Sequence, residues 1–149
     1  MLIRRVAAHE TLVAADLYLA SRAAAGAFMP PPVHDAVDTR RWVRDDLLVR
    51  AEGWFAVDED DAPLGVIALE GDDWLEFLYV LPSAQGRGIG RALVEHAKLQ
   101  RPAGLQLWAF QSNAPARAFY EANGFVAVEF TDGGGNEEQS PDVRYAWTP

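Results

Sequence analysis

The sequence predicts an α/β (α+β) fold, a mixed sheet with helices on its faces. Two observations carry that expectation. Short β-branched and aromatic runs between residues 54 and 81 read as a strand meander, and from Gly88 onward helical and strand periods alternate. Meander followed by alternation places helices against one mixed sheet. A third observation sets the scale: 149 residues suit one domain, residues 1–149, and can bury ~68–70% of the unfolded surface without a covalent staple.

The elements follow in order. Leu2 to Ala7 reads as a short strand. Thr11 to Ala25 reads as a helix, because Leu12, Ala15, Leu19 and Ala23 recur at steps of three and four. Pro30-Pro31-Pro32 cannot continue it. Asp38 or Thr39 is a suitable N-cap for a second helix that runs to about Ala51. Trp54 to Val57, Leu64 to Leu69 and Trp74 to Leu81 are strands. The acidic run Asp58 to Asp61 lacks the central Gly and distant Glu of a calcium loop, so it reads as a solvated hairpin turn. A helix opens at Gly88 or Gly90 and ends before Pro102, and Leu105 to Phe110 is a strand. Ala114 to Ala122 is a helix closed by Asn123-Gly124. Val126 to Phe130 and Val143 to Trp147 are the last strands, joined by a glycine-rich connection.

Composition excludes several classes of function. There is no cysteine, so disulfides, thiolate metal sites and cysteine nucleophiles are out. Thirteen Lys and Arg against 22 Asp and Glu leave a net charge of −9, which argues against a nucleic-acid partner. The most apolar stretch, Leu12 to Ala27, is interrupted by Asp16 and Arg22 and is too short to span a bilayer, so a cytoplasmic protein with no membrane partner is expected. His9, His34 and His96 show no metal-ligand spacing, and no metal is expected. No Gly-x-Ser-x-Gly elbow is present.

The most informative stretch is Leu78-Tyr79-Val80-Leu81-Pro82-Ser83-Ala84-Gln85-Gly86-Arg87-Gly88-Ile89-Gly90-Arg91. It reads as strand, glycine-rich turn and helix start. Alternate glycines permit positive φ and close backbone approach. Free N–H groups at the helix start, with the helix dipole behind them, form an anion site, and Arg87 and Arg91 add cations. A phosphate or diphosphate ligand is expected. A nucleotide P-loop would need Gly-Lys-Ser/Thr here, and a dinucleotide fingerprint would need Gly or Ala at position 91. The alternative is a plain turn into a helix. Further on, Asn113, Ala116 and Tyr120 share one helix face, either beside a groove for a slender ligand or as an amphipathic helix with a buried Tyr.

Together, Gln85-Gly86-Arg87-Gly88-Ile89-Gly90 and the segment Asn113 to Phe125 resemble the GNAT superfamily of acyl-CoA-dependent N-acyltransferases. The second segment matches the pattern Asn-x-x-Ala-x-x-Phe-Tyr-x-x-x-Gly-Phe throughout. The resemblance implies a mostly antiparallel seven-stranded sheet flanked by about four helices, with a splay between the fourth and fifth strands. It implies acetyl-CoA as cosubstrate, its diphosphate on Gln85, Gly86, Arg87, Gly88, Ile89, Gly90 and Arg91. Leu78, Tyr79 and Val80 would line the pantetheine arm, together with Asn113, Ala116 and Phe119. Tyr120 would face the sulfur. Such folds commonly pair two copies through the last strands, so a homodimer is open.

Transfer to an amine needs a neutral nucleophile. An alkylammonium of pKa ~10.4 is about 4.6 kcal/mol from that state at pH 7. A placed base typically gives ~10²–10⁴-fold. Strict alternation puts Glu76 on one face with Leu78 and Val80, which makes Glu76 the candidate base, directly or through water. The resemblance places the acceptor between the first two helices and the last hairpin, with Phe28, His34, Trp42 and Trp108 as candidate contacts. Asp132, Glu137, Glu138 and Asp142 on the last connection either attract a cationic amine or form a solvated loop. The function expected is acetyl transfer to a primary amine of a small molecule or peptide. The alternatives are a silent acyl-CoA sensor, or an enzyme that acetylates lysines or N-termini of proteins.

Overall fold

The computed structural model describes residues 1–149. Its strands are β1 (Leu2–Arg5), β2 (Glu52–Val57), β3 (Pro63–Glu70), β4 (Trp74–Val80), β5 (Leu105–Phe110), β6 (Val126–Phe130) and β7 (Asp142–Trp147). They form one sheet of seven strands in the order β1-β2-β3-β4-β5-β7-β6. Every neighbouring pair is antiparallel except β4 and β5, which run parallel. That parallel pair is in register only at Trp74 and Gln106. Gln106 closes the junction by donating its N–H to Asp73 O at 2.7 Å and its side-chain amide to Asp73 Oδ2 at 2.7 Å. Beyond it the strands part, so the expected splay is present.

The helices are α1 (Thr11–Ala25), α2 (Ala36–Trp42), α3 (Leu48–Arg50), α4 (Ile89–Gln100) and α5 (Ala114–Ala122). A widened π-type stretch, Val43–Leu47, joins α2 to α3, so the two are segments of one bent helix. Two differences from the sequence reading have local causes. β1 stops at Arg5 because Glu10 accepts the Ala7 N–H at 3.0 Å and clasps Arg4 at 2.8 and 2.9 Å, which folds the chain into a turn over Ala8–Glu10. The second helix starts at Ala36 because Asp35, just past the proline run, accepts the Asp38 N–H at 2.8 Å and takes the N-cap. The acidic hairpin between β2 and β3 is held by Asp58, whose Oδ1 accepts from Asp60 and Ala62 N–H.

Apolar side chains pack on both faces of the sheet. On one face α4 and α5 cover Ile67, Leu69, Leu75, Leu105, Leu107 and Tyr145. On the other, α1 and the α2–α3 helix cover Phe55, Val57, Val66, Ala68 and Phe77. A bulge in β4 interrupts this alternation. Ala68 pairs with Phe77 but Leu69 pairs with Leu75, leaving Glu76 as the extra residue. Leu75 therefore packs with the α4 cluster although Phe77 packs with the α1 cluster. No helix is long and apolar enough to cross a membrane.

Candidate active site

The splay exposes one edge of β4. Leu81 N–H bonds back to Leu64 O on β3 at 2.8 Å. Alternation then directs the N–H groups of Val80 and Leu78 to the opposite edge, which β5 has left. Val80 O is partly engaged there, accepting from Ser21 Oγ at 3.1 Å and Gln85 Nε2 at 3.4 Å. Ser21, the one buried polar side chain, thus fastens α1 to the end of β4.

Past Val80 the chain turns through Pro82–Ala84 into the glycine loop. Gly86 (φ +79°) and Gly88 (φ +80°) are both left-handed, a conformation that other residues adopt at a cost. Gly90 is glycine for another reason. A Cβ there would meet the Phe119 ring at 3.1 Å, so its absence lets α4 lie against α5. The main-chain N–H groups of Gly86, Arg87, Gly88, Ile89, Gly90 and Arg91 have no acceptor in the chain; the first inward bond of α4 runs from Ala92 N–H to Gly88 O at 3.0 Å. This run of free amides at a helix N-terminus is a cradle for an anion with several oxygens.

Across the splay stands α5. Asn113 accepts the Ala116 N–H on Oδ1 at 3.3 Å and so caps the helix, leaving its Nδ2 without a partner in the chain. Tyr120 is 9% exposed and its hydroxyl has no partner. Its ring is held edge-on by Phe119 at 5.3 Å and Phe125 at 5.6 Å. Burial raises its pKa well above the usual phenol range, so the group stays protonated. A polar tie fixes α5 to the sheet. Arg117 Nε donates to Tyr145 Oη at 3.0 Å, and Tyr145 donates to Glu121 Oε2 at 2.5 Å.

These parts enclose a cavity of about 630 Å³. Leu78, Tyr79, Val80, Gln85, Gly86, Gly88, Ile89, Gly90 and Arg91 line one side of it. Asn113, Ala116, Phe119 and Tyr120 line the other. Arg87 lies outside the wall, exposed to solvent on the loop. The end of α1 completes the cavity with Ser21, Ala24 and Ala25, a contribution the sequence reading missed. Its trace was a run of small residues at helical spacing, which leaves room where a larger side chain would fill it.

A second cavity, of about 860 Å³, lies between α1, the α2–α3 helix and the β6–β7 connection. His34 and Trp42 line it, and so do Tyr18, Arg22, Glu137 and Glu138. Asp45 and Asp46, from the π-type stretch, also face it. Tyr18 of the second cavity packs edge-on against Tyr79 of the first, with ring centroids 4.7 Å apart.

Three candidate positions fall elsewhere. The bulge turns Glu76 away from Leu78 and Val80, and Arg50 holds its carboxylate at 3.3 Å beside Glu70. Burial and the neighbouring Glu70 raise its affinity for a proton against the pull of Arg50, but Glu76 lines neither cavity. Phe28 lines the first cavity rather than the second. Trp108 lines neither. It stands 45% exposed on the face of β5 opposite buried Leu105 and Leu107, across from Arg144.

Residues 50–127 match a family model described as an acetyltransferase (GNAT) domain. The chain is 39% identical over 87 residues to the peptidyl-lysine N-acetyltransferase YiaC of Escherichia coli (strain K12), covering 58% of each chain. It is 39% identical over 80 residues to the peptidyl-lysine N-acetyltransferase YjaB of Salmonella typhimurium, covering 54% of each. The matched stretches therefore span little more than half the length of these relatives. Among solved structures, apo-form YjaB from Escherichia coli superposes with a TM-score of 0.80 at 28% identity, covering 98% of this chain and 96% of that one. A PaiA N-acetyltransferase from Thermoplasma acidophilum, in complex with coenzyme A, superposes at 0.76 with 20% identity over 99% and 98% of the chains, a likeness of fold alone. The family match spans more than half the sequence and includes both the glycine loop and Tyr120, so the chain belongs to the GNAT acetyltransferase family.

Proposed function

We propose that this protein is an acetyl-CoA-dependent N-acetyltransferase whose acceptor is a primary amine. The observation that carries the reading is the row of unpaired N–H groups from Gly86 to Arg91, opening on the same cavity as the unpaired hydroxyl of Tyr120. The residues fit coenzyme A. The loop amides suit a diphosphate, each charge-assisted hydrogen bond contributing ~1.5–3 kcal/mol. Arg91 on the cavity wall and Arg87 beside it form no ion pair in the chain and supply local positive charge. At physiological salt, charges beyond ~8 Å are largely screened, so these two cations outweigh the net charge of −9. The free edge of β4 offers the N–H groups of Leu78 and Val80 to an extended amide chain, the mode by which a peptide adds to a sheet. Asn113 offers Nδ2 from the opposite wall.

When bound, acetyl-CoA supplies an activated thioester carbonyl. The protein's part is to place, shield and donate. The splay holds the reacting groups between two walls, and such placement is worth more than the hydrogen bond of Tyr120 alone. Tyr120 keeps its proton and donates a hydrogen bond from Oη to the leaving sulfur. Full proton transfer from a phenol of pKa ~10 to a thiolate near ~8.5 is already uphill by about 2 kcal/mol in water. Burial widens that gap, which makes Tyr120 a hydrogen-bond donor before it is an acid. With Glu76 turned away, no carboxylate or imidazole faces Tyr120. The amine then loses its proton to water or to a group in the second cavity.

The relatives named peptidyl-lysine N-acetyltransferases favour, as a second and narrower reading, a lysine side chain as the acceptor. Calorimetry with acetyl-CoA, followed by thiol release on a panel of amino acids, polyamines, aminoglycosides and lysine peptides, tests both. Binding with turnover supports the enzyme. Binding without turnover on any amine identifies a sensor module.

A further inference from the structure

Helix α5 presents Asn113, Ala116 and Tyr120 to the glycine-loop cavity. Around Tyr120 its packing is aromatic, against Phe119 and Phe125. Apolar contact has no direction, so it fixes the depth of a helix better than its roll about its own axis. Roll matters for Tyr120. A Tyr hydroxyl stands well out from the helix axis, so a roll of about 10° carries it on the order of 1 Å. A misplacement of that size can cost about 10²-fold in rate.

The ends of α5 are fastened by Asn113, which caps the first turn, and by Lys98, whose Nζ donates to Asn123 O at 2.7 Å. The middle is fastened by one atom. Tyr145 Oη accepts from Arg117 Nε at 3.0 Å and donates to Glu121 Oε2 at 2.5 Å. Arg117 and Glu121 are four residues apart, so they stand on one stripe of the helix, next to the stripe of Ala116 and Tyr120. They form no ion pair with each other, and Glu121 has no other side-chain partner. Two directional bonds that flank one fixed oxygen oppose roll in either sense.

That oxygen is itself held still. Tyr145 is fully buried, and its strand position lies between Leu107 on β5 and Ala127 on β6. Burial raises its pKa against the pull of Arg117, so the hydroxyl keeps the proton it donates. Its ring also lies 6.3 Å from that of Tyr120, beneath the group whose direction it sets.

We infer that Tyr145 is a positioning residue: its hydroxyl, held between Arg117 and Glu121, fixes the roll of α5 and thereby directs Tyr120 Oη at the sulfur of the cosubstrate. The inference rests on reading the glycine-loop cavity as the acetyl-CoA site with Tyr120 at the sulfur.

The test uses coenzyme A bound to the whole protein and follows the ultraviolet absorbance of its thiolate against pH. A donor directed at the sulfur stabilises the thiolate and lowers the thiol pKa. Tyr120→Phe should raise that pKa by about one unit, a tenfold shift. Tyr145→Phe, with Tyr120 intact, should raise it by at least half as much. In the Tyr120→Phe background the second substitution should add nothing, since its effect passes through the missing hydroxyl. Coenzyme A affinity at pH 6, where the thiol is protonated, should change less than about twofold. Glu121→Ala removes the exposed partner of the tie and should shift the pKa in the same sense by less. It carries the test if Tyr145→Phe does not fold. A wild-type thiol pKa in Tyr145→Phe, or in Glu121→Ala where that variant stands in, overturns the inference. So does an equal rise in both backgrounds, the mark of general loosening. No shift in Tyr120→Phe overturns the placement of Tyr120 at the sulfur and this inference with it. A wild type that does not bind coenzyme A overturns the acetyl-CoA reading itself.

Discussion

The two cavities are built in opposite ways. The one at the splay is made largely of main chain: free amides from Gly86 to Arg91, the vacated edge of β4, and small residues at the end of α1. The one beside it is made of charged and aromatic side chains from α1, the α2–α3 helix and the β6–β7 connection, which are far apart in sequence. A main-chain site depends on φ angles and on missing side chains, so it tolerates little change and takes one kind of ligand. A side-chain site can be retuned residue by residue. On the proposed reading, the difference separates fixed from variable chemistry in this molecule, with the cosubstrate at the splay and acceptor selectivity next door.

The sharpest way to break that comparison is Gly88→Val. A β-branched residue at φ +80° is strained, and the loop must move to relieve it. Losing two of its charge-assisted bonds would weaken acetyl-CoA binding about 100-fold or more by calorimetry. Unchanged affinity would show that the glycines serve only the turn. Next is Tyr120→Phe, which should lower turnover about 10²-fold while leaving acetyl-CoA affinity alone. Equal turnover would remove Tyr120 from the chemistry. Ser21→Ala removes the bond to Val80 O and should cost about 1 kcal/mol in denaturant unfolding. Acetyl-CoA affinity should fall with it only if α1 helps to hold the edge of β4.

The smallest effect lies outside both cavities. His96 packs on Trp54 at 5.1 Å, its Nε2 is buried without a partner, and burial lowers its affinity for protons. Its folded pKa lies below the unfolded value near 6.5, so the unfolded chain binds the proton more tightly. Stability is then fully present above about pH 6.5 and declines as the pH falls below it. Thermal melts between pH 5 and 8 should show the decline, and His96→Phe should remove it. A pH slope identical in the variant would place its origin elsewhere.

What the sequence disclosed follows the same division. The order of elements and the glycine loop were legible because periodicity and turn chemistry are local. Tyr120 and Asn113 were legible because one helix face carries both. Glu76 misled, since a strand read by strict alternation hides a bulge, and the extra residue is visible only in the pairing of β3 with β4. Trp108 misled because the face of β5 away from its buried residues bears no covering helix over that position. The partner that sets Glu137 apart from Glu138 is His34, 103 residues away in sequence, so no local pattern could sort those two.

The central claim is that the loop amides grip the diphosphate. Amide chemical shifts recorded during a titration with coenzyme A test it most directly. The account predicts that the resonances of Gly86, Gly88 and Gly90 move together and saturably, at the same concentration that shifts Leu78 and Val80. Saturable binding that leaves those three glycine amides unmoved would contradict it.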